Sequence, residues 1–397
     1  MKTWMKLLAL LGAFSLVVAA CGSDDESTDT GDTTEVTDDT ETTEDTAAGD
    51  AADEEMEEEE PAADEESGAT GDYTPVKACF VTDDAGVDDR SFNALGWKGV
   101  NDAVASGAAQ ADPILLESAS EADYQPHVET CLAEGAEHII TSGFKLADTT
   151  SQFAEQNPDV QWTIIDFGSL GPNVTGLEYQ TDEAAFAAGY LAAGVTQTGV
   201  VAVYGGENIP TVSIFLDGFA RGVDHYNEAK GTSASVLGWD VAGQEGTMTG
   251  TFDPADPLVR ATCESQLDEG ADIVLPVGGA INLPCGTAIQ DRSIEGALIG
   301  VDADAFEAAP PEFQDLWLTS VLKGIDIQTQ RSIEAHASGE PLGGSSFVGN
   351  LENEAVGLAP FHSWEDRVSA ELADETAQVI EDIKSGTITW DKFVVGG

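Results

Sequence analysis

Positive charge is scarce in this chain: 15 Lys and Arg stand against 74 Asp and Glu in 397 residues, a formal net charge of -59 at pH 7. Duplex DNA, RNA and anionic lipid surfaces each need a basic footprint that displaces phosphate counterions, so binding to them is excluded as the main function. Histidine is equally sparse, and His127, His138, His225, His336 and His362 fall at no metal-ligand spacing. There is no Gly-x-Ser-x-Gly elbow, no Gly-x-x-x-x-Gly-Lys-Ser/Thr phosphate loop and no His-Glu-x-x-His pair, which removes the commonest signatures of hydrolases, P-loop NTPases and zinc proteases. The acidic pairs Asp253/Asp256 and Asp302/Asp304 lack the alternating oxygen ligands and glycine of a calcium loop. No metal and no cofactor is expected.

What is present divides sharply along the chain. Lys2 and Lys6 precede an apolar stretch over residues 7–20 that is short for a bilayer span and has the shape of a secretory signal. It ends in Val18-Ala19-Ala20-Cys21, which resembles the bacterial lipobox, so residues 1–20 are expected to be a signal peptide and Cys21 the diacylated first residue of the mature chain. Residues 22–72 hold 23 acids and no base, too much charge and too few large apolar side chains to bury a core. Residues 21–72 are therefore expected to form a lipidated, disordered, self-repelling tether. Residues 73–397 carry 51 acids and 13 bases, net -38, and long runs of Val, Ile, Leu and Ala that can build a core.

In that part, short β-rich runs alternate with helix-like segments, the pattern of α/β layers around mostly parallel sheets. Runs at 76–82, 113–117, 138–142 and 162–166 alternate with helical patterns at 91–106, 123–134 and 146–157. A second series has strands at 199–204, 235–239, 273–277 and 297–301 and helices at 182–193, 214–226, 257–269 and 283–291, with a last helix at 369–385. Two such series predict two Rossmann-like lobes joined by a hinge, with ligand outside the C-terminal strand ends. The expected first lobe is 73–180 plus 317–340 and the second 181–316 plus 341–397, with crossovers near 176–181, 309–317 and 338–343. Besides Cys21, four cysteines remain. Export permits disulfides, and pairing within each series, Cys79 with Cys131 and Cys263 with Cys285, is expected against the alternative of four small buried thiols.

The first βα junction, residues 81–93, places acids, an aromatic and an amide together at the mouth of a sheet. Its Asp88-Asp89-Arg90-Ser91-Phe92-Asn93, followed by Gly96-Trp97-Lys98-Gly99, resembles the signature of the basic membrane protein family of substrate-binding lipoproteins, the PnrA-like purine nucleoside receptors of ABC importers, where Lys is usual in place of Arg90. The likeness runs through most of 75–335. Thr141-Ser142-Gly143-Phe144, Tyr204-Gly205-Gly206-Glu207-Asn208-Ile209-Pro210 and Phe215-Leu216-Asp217-Gly218-Phe219 resemble further family segments. So do Val277-Gly278-Gly279, Ile299-Gly300-Val301-Asp302 and Leu318-Thr319-Ser320-Val321-Leu322-Lys323. Asn282-Leu283-Pro284-Cys285 and Ala305 depart from the pattern, near the expected mouth.

The resemblance implies a type 1 periplasmic binding protein fold and a sandwich. Phe92 and Phe215 would stack on the two faces of a purine, Asp83 and Asn93 would bond its edge, and Asp148, Asp302 and Lys323 would hold the ribose, with Gly279 admitting close backbone approach. A neutral ligand with a flat base and a vicinal diol suits aromatic faces and carboxylate acceptors. The expected protein is a monomeric, lipid-anchored, extracytoplasmic receptor that is no enzyme and passes its solute to an ABC permease. A receptor for a sugar or furanosyl signal, a secreted nucleoside hydrolase and an envelope adhesin with an empty cleft are the competing readings.

Overall fold

A computed structural model describes residues 72–391. The signal segment, Cys21 and all of the tether before residue 72 lie outside the described residues. The first lobe opens with β1 (Ala78–Val81), α1 (Phe92–Ala105), β2 (Ile114–Leu116), α2 (Tyr124–Ala133), β3 (His138–Ser142), α3 (Ala147–Gln156), β4 (Gln161–Ile165) and β5 (Val174–Tyr179). The second continues with α4 (Thr181–Val195), β6 (Val200–Gly205), α5 (Pro210–Lys230), β7 (Ser235–Leu237) and a small antiparallel pair, β8 (Trp239–Asp240) and β9 (Glu245–Gly246). Then come α6 (Pro257–Asp268), β10 (Ile273–Val277), α7 (Asn282–Asp291), β11 (Ala297–Asp302), α8 (Ala305–Ala308) and β12 (Trp317–Lys323). The chain returns to the first lobe for α9 (Ile325–Ala337) and β13 (Ser346–Gly349), and crosses again for β14 (Val356–Leu358) and α10 (Ala370–Lys384).

Two six-stranded sheets result, ordered β13-β5-β4-β3-β1-β2 and β14-β12-β11-β10-β6-β7. All their pairings are parallel except β14 on β12. The architecture is α/β with two Rossmann-like lobes. The central strands β1, β10 and β11 are buried at every residue, which is why they read as continuous apolar runs rather than alternating ones. Helix ends are set by local chemistry: Asp256 accepts from Leu258 N at 2.8 Å with Pro257 opening α6, and Gly231, at φ 67°, closes α5. The Ala-rich α4 is buried almost end to end against α5. A Cβ on Gly189 would lie 2.0 Å from Phe219 O and one on Gly222 1.9 Å from Phe186 O, so only glycine allows this approach.

The expected lobe boundaries need correction after residue 316. Trp317–Lys323, assigned to the first lobe, pairs parallel with β11 and belongs to the second sheet. Ser346–Gly349, assigned to the second lobe, pairs parallel with β5 and forms the edge of the first. The crossovers accordingly run from Tyr179 to Thr181, from Lys323 to Ile325 and from Gly349 to Val356; the second and third lie C-terminal to the expected 309–317 and 338–343. Disulfides join Cys79 in β1 to Cys131 in α2 (Cα atoms 5.8 Å apart) and Cys263 in α6 to Cys285 in α7 (5.4 Å). Among the described residues no helix is long and apolar enough to cross a membrane.

Candidate functional site

The C-terminal ends of both sheets face a single cleft of about 600 Å³, its open mouth included. On the first-lobe wall, the turn after β1 is organised by Asp89. Its Oδ1 accepts from Ser91 N and Ala94 N, both at 3.0 Å, and its Oδ2 from Asn93 N at 2.7 Å, so it satisfies the free N–H groups that open α1. Asp83 in turn accepts from Asn93 Nδ2 at 2.7 Å and from Ala85 N at 3.0 Å. Burial pushes the Asp83 carboxyl up to about 7 although both hydrogen bonds oppose the rise. Asn93 is fully buried, and its Oδ1 has no hydrogen-bond partner among the described residues. A buried acceptor in a cleft wall can take a donor from a bound molecule or from water.

Two acids close the cleft floor from opposite lobes, both in the left-handed backbone region at φ 65°: Asp166 just after β4 and Asp302 at the end of β11. Backbone strain of this kind concentrates at functional sites. Between them sits Lys323, whose Nζ is 2.6 Å from Asp166 Oδ1 and 3.9 Å from Asp302 Oδ1. The same ammonium lies 5.0 Å from the ring centre of Phe92, 5.2 Å from that of Tyr179 and 5.8 Å from that of Phe215. Burial raises Asp302 to about 6, with Lys323 holding it down and Asp166 adding to the rise; Asp166 is raised by burial against the pull of Lys323. Two carboxylates around one cation leave acceptor capacity for hydroxyl donors.

The lobes touch across the cleft at several places. Ser91 Oγ lies 2.8 Å from Val301 O and 3.0 Å from Asp302 Oδ2, and Arg90 donates to Ala308 O at 3.1 Å. At the rim Lys145, from the first lobe, bridges its neighbour Asp84 (3.0 Å) to Glu207 of the second (2.9 Å), with the Phe252 ring centre 5.4 Å away. Among the described residues no group of three His, Cys, Asp or Glu side chains is placed to hold a metal ion.

Of the residues singled out in sequence, Asp83, Phe92, Asn93, Phe215, Gly279, Asp302 and Lys323 line this cleft together. Asp148 does not: it is exposed on the first turn of α3. The first-lobe acid that pairs with Lys323 in the cleft is Asp166, and its only signal in sequence is its place directly after the run Trp-Thr-Ile-Ile. Lys145, Phe252 and Tyr179 were likewise missed, since nothing local distinguishes them. Asn282, Leu283 and Ala305, where the sequence leaves the family pattern, line a separate small crevice beside Arg90 and Ala308 instead of the cleft; Cys285 is taken up by its disulfide.

Residues 76–389 match the family model described as Bmp, ABC transporter substrate-binding protein PnrA-like. The chain is similar to the ABC transporter nucleoside-binding protein BmpA of Lactococcus lactis subsp. cremoris, 25% identical over 343 residues covering 81% of this chain and 91% of that protein. It is also similar to the CD4+ T-cell-stimulating antigen of Listeria innocua, 25% identical over 401 residues covering 98% of each. Among solved structures, an ABC transporter system solute-binding protein from Aeropyrum pernix K1 superposes with a TM-score of 0.70 at 22% identity, covering 80% of this chain and 94% of that one. One from Conexibacter woesei gives 0.62 at 22% identity, covering 80% and 99%. These two structures share the fold.

Proposed function

Because the chain belongs to the PnrA-like family of ABC transporter substrate-binding proteins, the extracytoplasmic solute-capturing components of importers, we propose that its solute is a purine nucleoside held between the two lobes. The observation that carries this reading is the convergence of Phe92 and Phe215, one from each lobe, on the Lys323 ammonium beside the carboxylates of Asp166 and Asp302. In the proposed complex the two rings stack on the base, and the acids accept from the ribose hydroxyls while Lys323 balances their charge. Asp83 and the open Asn93 Oδ1 meet the edge of the base, and Gly279 of the second lobe, at φ 60° with its Cβ position 3.3 Å from Asp89 of the first, lets the two walls approach closely. A relative named as nucleoside-binding supports the assignment. The protein acts as a monomer in this reading, anchored by a lipid on Cys21, and hands its solute to an ABC permease.

Isothermal titration against inosine, guanosine, adenosine, cytidine, inosine 5′-monophosphate and ribose tests the proposal. Purine nucleosides should bind tightest, with the monophosphate at least 100-fold weaker because its charge meets the acids of the cleft. Tightest binding of ribose, or silence across the panel, would overturn it.

A further inference from the structure

Tyr179 occupies a position that neither the cleft nor the hinge alone explains. It is the last residue of β5, so its backbone is the start of the first crossover. Its hydroxyl donates to Gly324 O at 3.3 Å, in the second. Its ring covers Gly349, where the third begins: a Cβ on Gly349 would stand 2.6 Å from Tyr179 Cδ1. The backbone ties the same three strands of chain together, Gln180 N donating to Gly349 O at 2.8 Å and Gly324 N to Ala355 O at 2.9 Å. The face of the ring meanwhile carries Lys323, a residue of the cleft lining, whose Nζ lies 5.2 Å from the ring centre. Burial, with Asp166, Asp326 and Asp302 around it, raises the phenol well above its ordinary pKa and keeps it a neutral donor.

We infer that Tyr179 is a positioning residue that holds the Lys323 ammonium on its ring face and registers it to all three crossovers, so that a solute drawing on Lys323 is sensed at the hinge. The cation lies against the ring's negative face, and Asp166 takes it from the side at 2.6 Å. Its place in the cleft is thereby fixed from the hinge as well as from the floor. Only the ligand arm of the test depends on the nucleoside reading.

The experiment is a double-mutant cycle on the full chain with Tyr179→Leu, Tyr179→Phe, Lys323→Met and Tyr179→Leu/Lys323→Met, read by thermal unfolding without ligand and by inosine titration. Tyr179→Leu should weaken inosine about tenfold, and Tyr179→Phe, which keeps the ring, should recover most of that loss. On the Lys323→Met background the leucine substitution should cost less than twofold more. In the ligand-free melts the double variant should fall by clearly less than the sum of the two single shifts. Losses that multiply in affinity, or shifts that add in the melts, would reduce Tyr179 to packing and overturn the inference. If the parent protein binds no nucleoside, the proposed solute fails, and the ligand-free melts alone decide the role of Tyr179.

Discussion

At the scale of single residues, the cleft keeps acids in places where water would serve them better. An acid whose pKa is higher in the folded than in the unfolded chain stabilises the fold below its unfolded pKa and loses that contribution as pH rises through its folded value. Asp83 moves from an ordinary 3.8 to about 7, so it becomes a growing cost to the empty protein over that range, on the order of 4 kcal/mol above it. Asp83→Asn should therefore raise the melting temperature of the ligand-free protein by several degrees at pH 8 and by much less at pH 5, while weakening nucleoside binding. Equal shifts at both pH values in calorimetry would contradict the assignment. Asp302, raised to about 6, adds the matching expectation for the proposed complex: if it accepts from the ribose hydroxyls in its ionised form, affinity should fall as pH drops from 7 to 5. The same scale shows where sequence reasoning stopped. Asp148 and Asp166 both follow strands of the first lobe, and nothing local says which turn faces the cleft; one helical turn points Asp148 to solvent, whereas the left-handed backbone after β4 aims Asp166 inward.

At the scale of elements, strands buried on both faces were legible because their apolar runs are unbroken, as in β1 and β10. The stretch after residue 316 was not, since β12 adds to the sheet of its predecessor β11 while β13 pairs back to β5, far away in the chain, and β13 is a half-exposed edge strand with a weak pattern. Sheet membership there is a long-range property that periodicity does not encode. The disulfides act at this level by pinning one helix to a central strand and one helix to another, closing loops of 52 and 22 residues. In the chain-entropy account each contributes about 3–4 kcal/mol. Reduction should lower the melting temperature markedly, and mass analysis after alkylation of the unreduced, denatured protein should find Cys79, Cys131, Cys263 and Cys285 all unmodified; alkylation of any pair would contradict the pairing.

At the scale of the whole molecule, charge and closure belong together. The part from residue 73 onward carries a net -38, so each cation that bridges the lobes is a specific device against self-repulsion. Lys145 is one: burial disfavours its charge, yet the hydrogen bonds it donates to Glu207 and Asp84 outweigh that and raise its pKa. Lys145→Met leaves those two acids facing each other across the rim. Small-angle scattering should then show a larger ligand-free radius of gyration than in the parent, with nucleoside affinity several-fold lower; an unchanged radius would remove Lys145 as a lobe bridge. The central claim is that both lobes grip one solute, and titration of inosine into Phe92→Ala and Phe215→Ala tests it most directly. Each loss of a stacking face should cost about 1–3 kcal/mol, roughly five- to 150-fold in affinity, in both variants. Inosine affinity unchanged in either one would contradict a shared cleft.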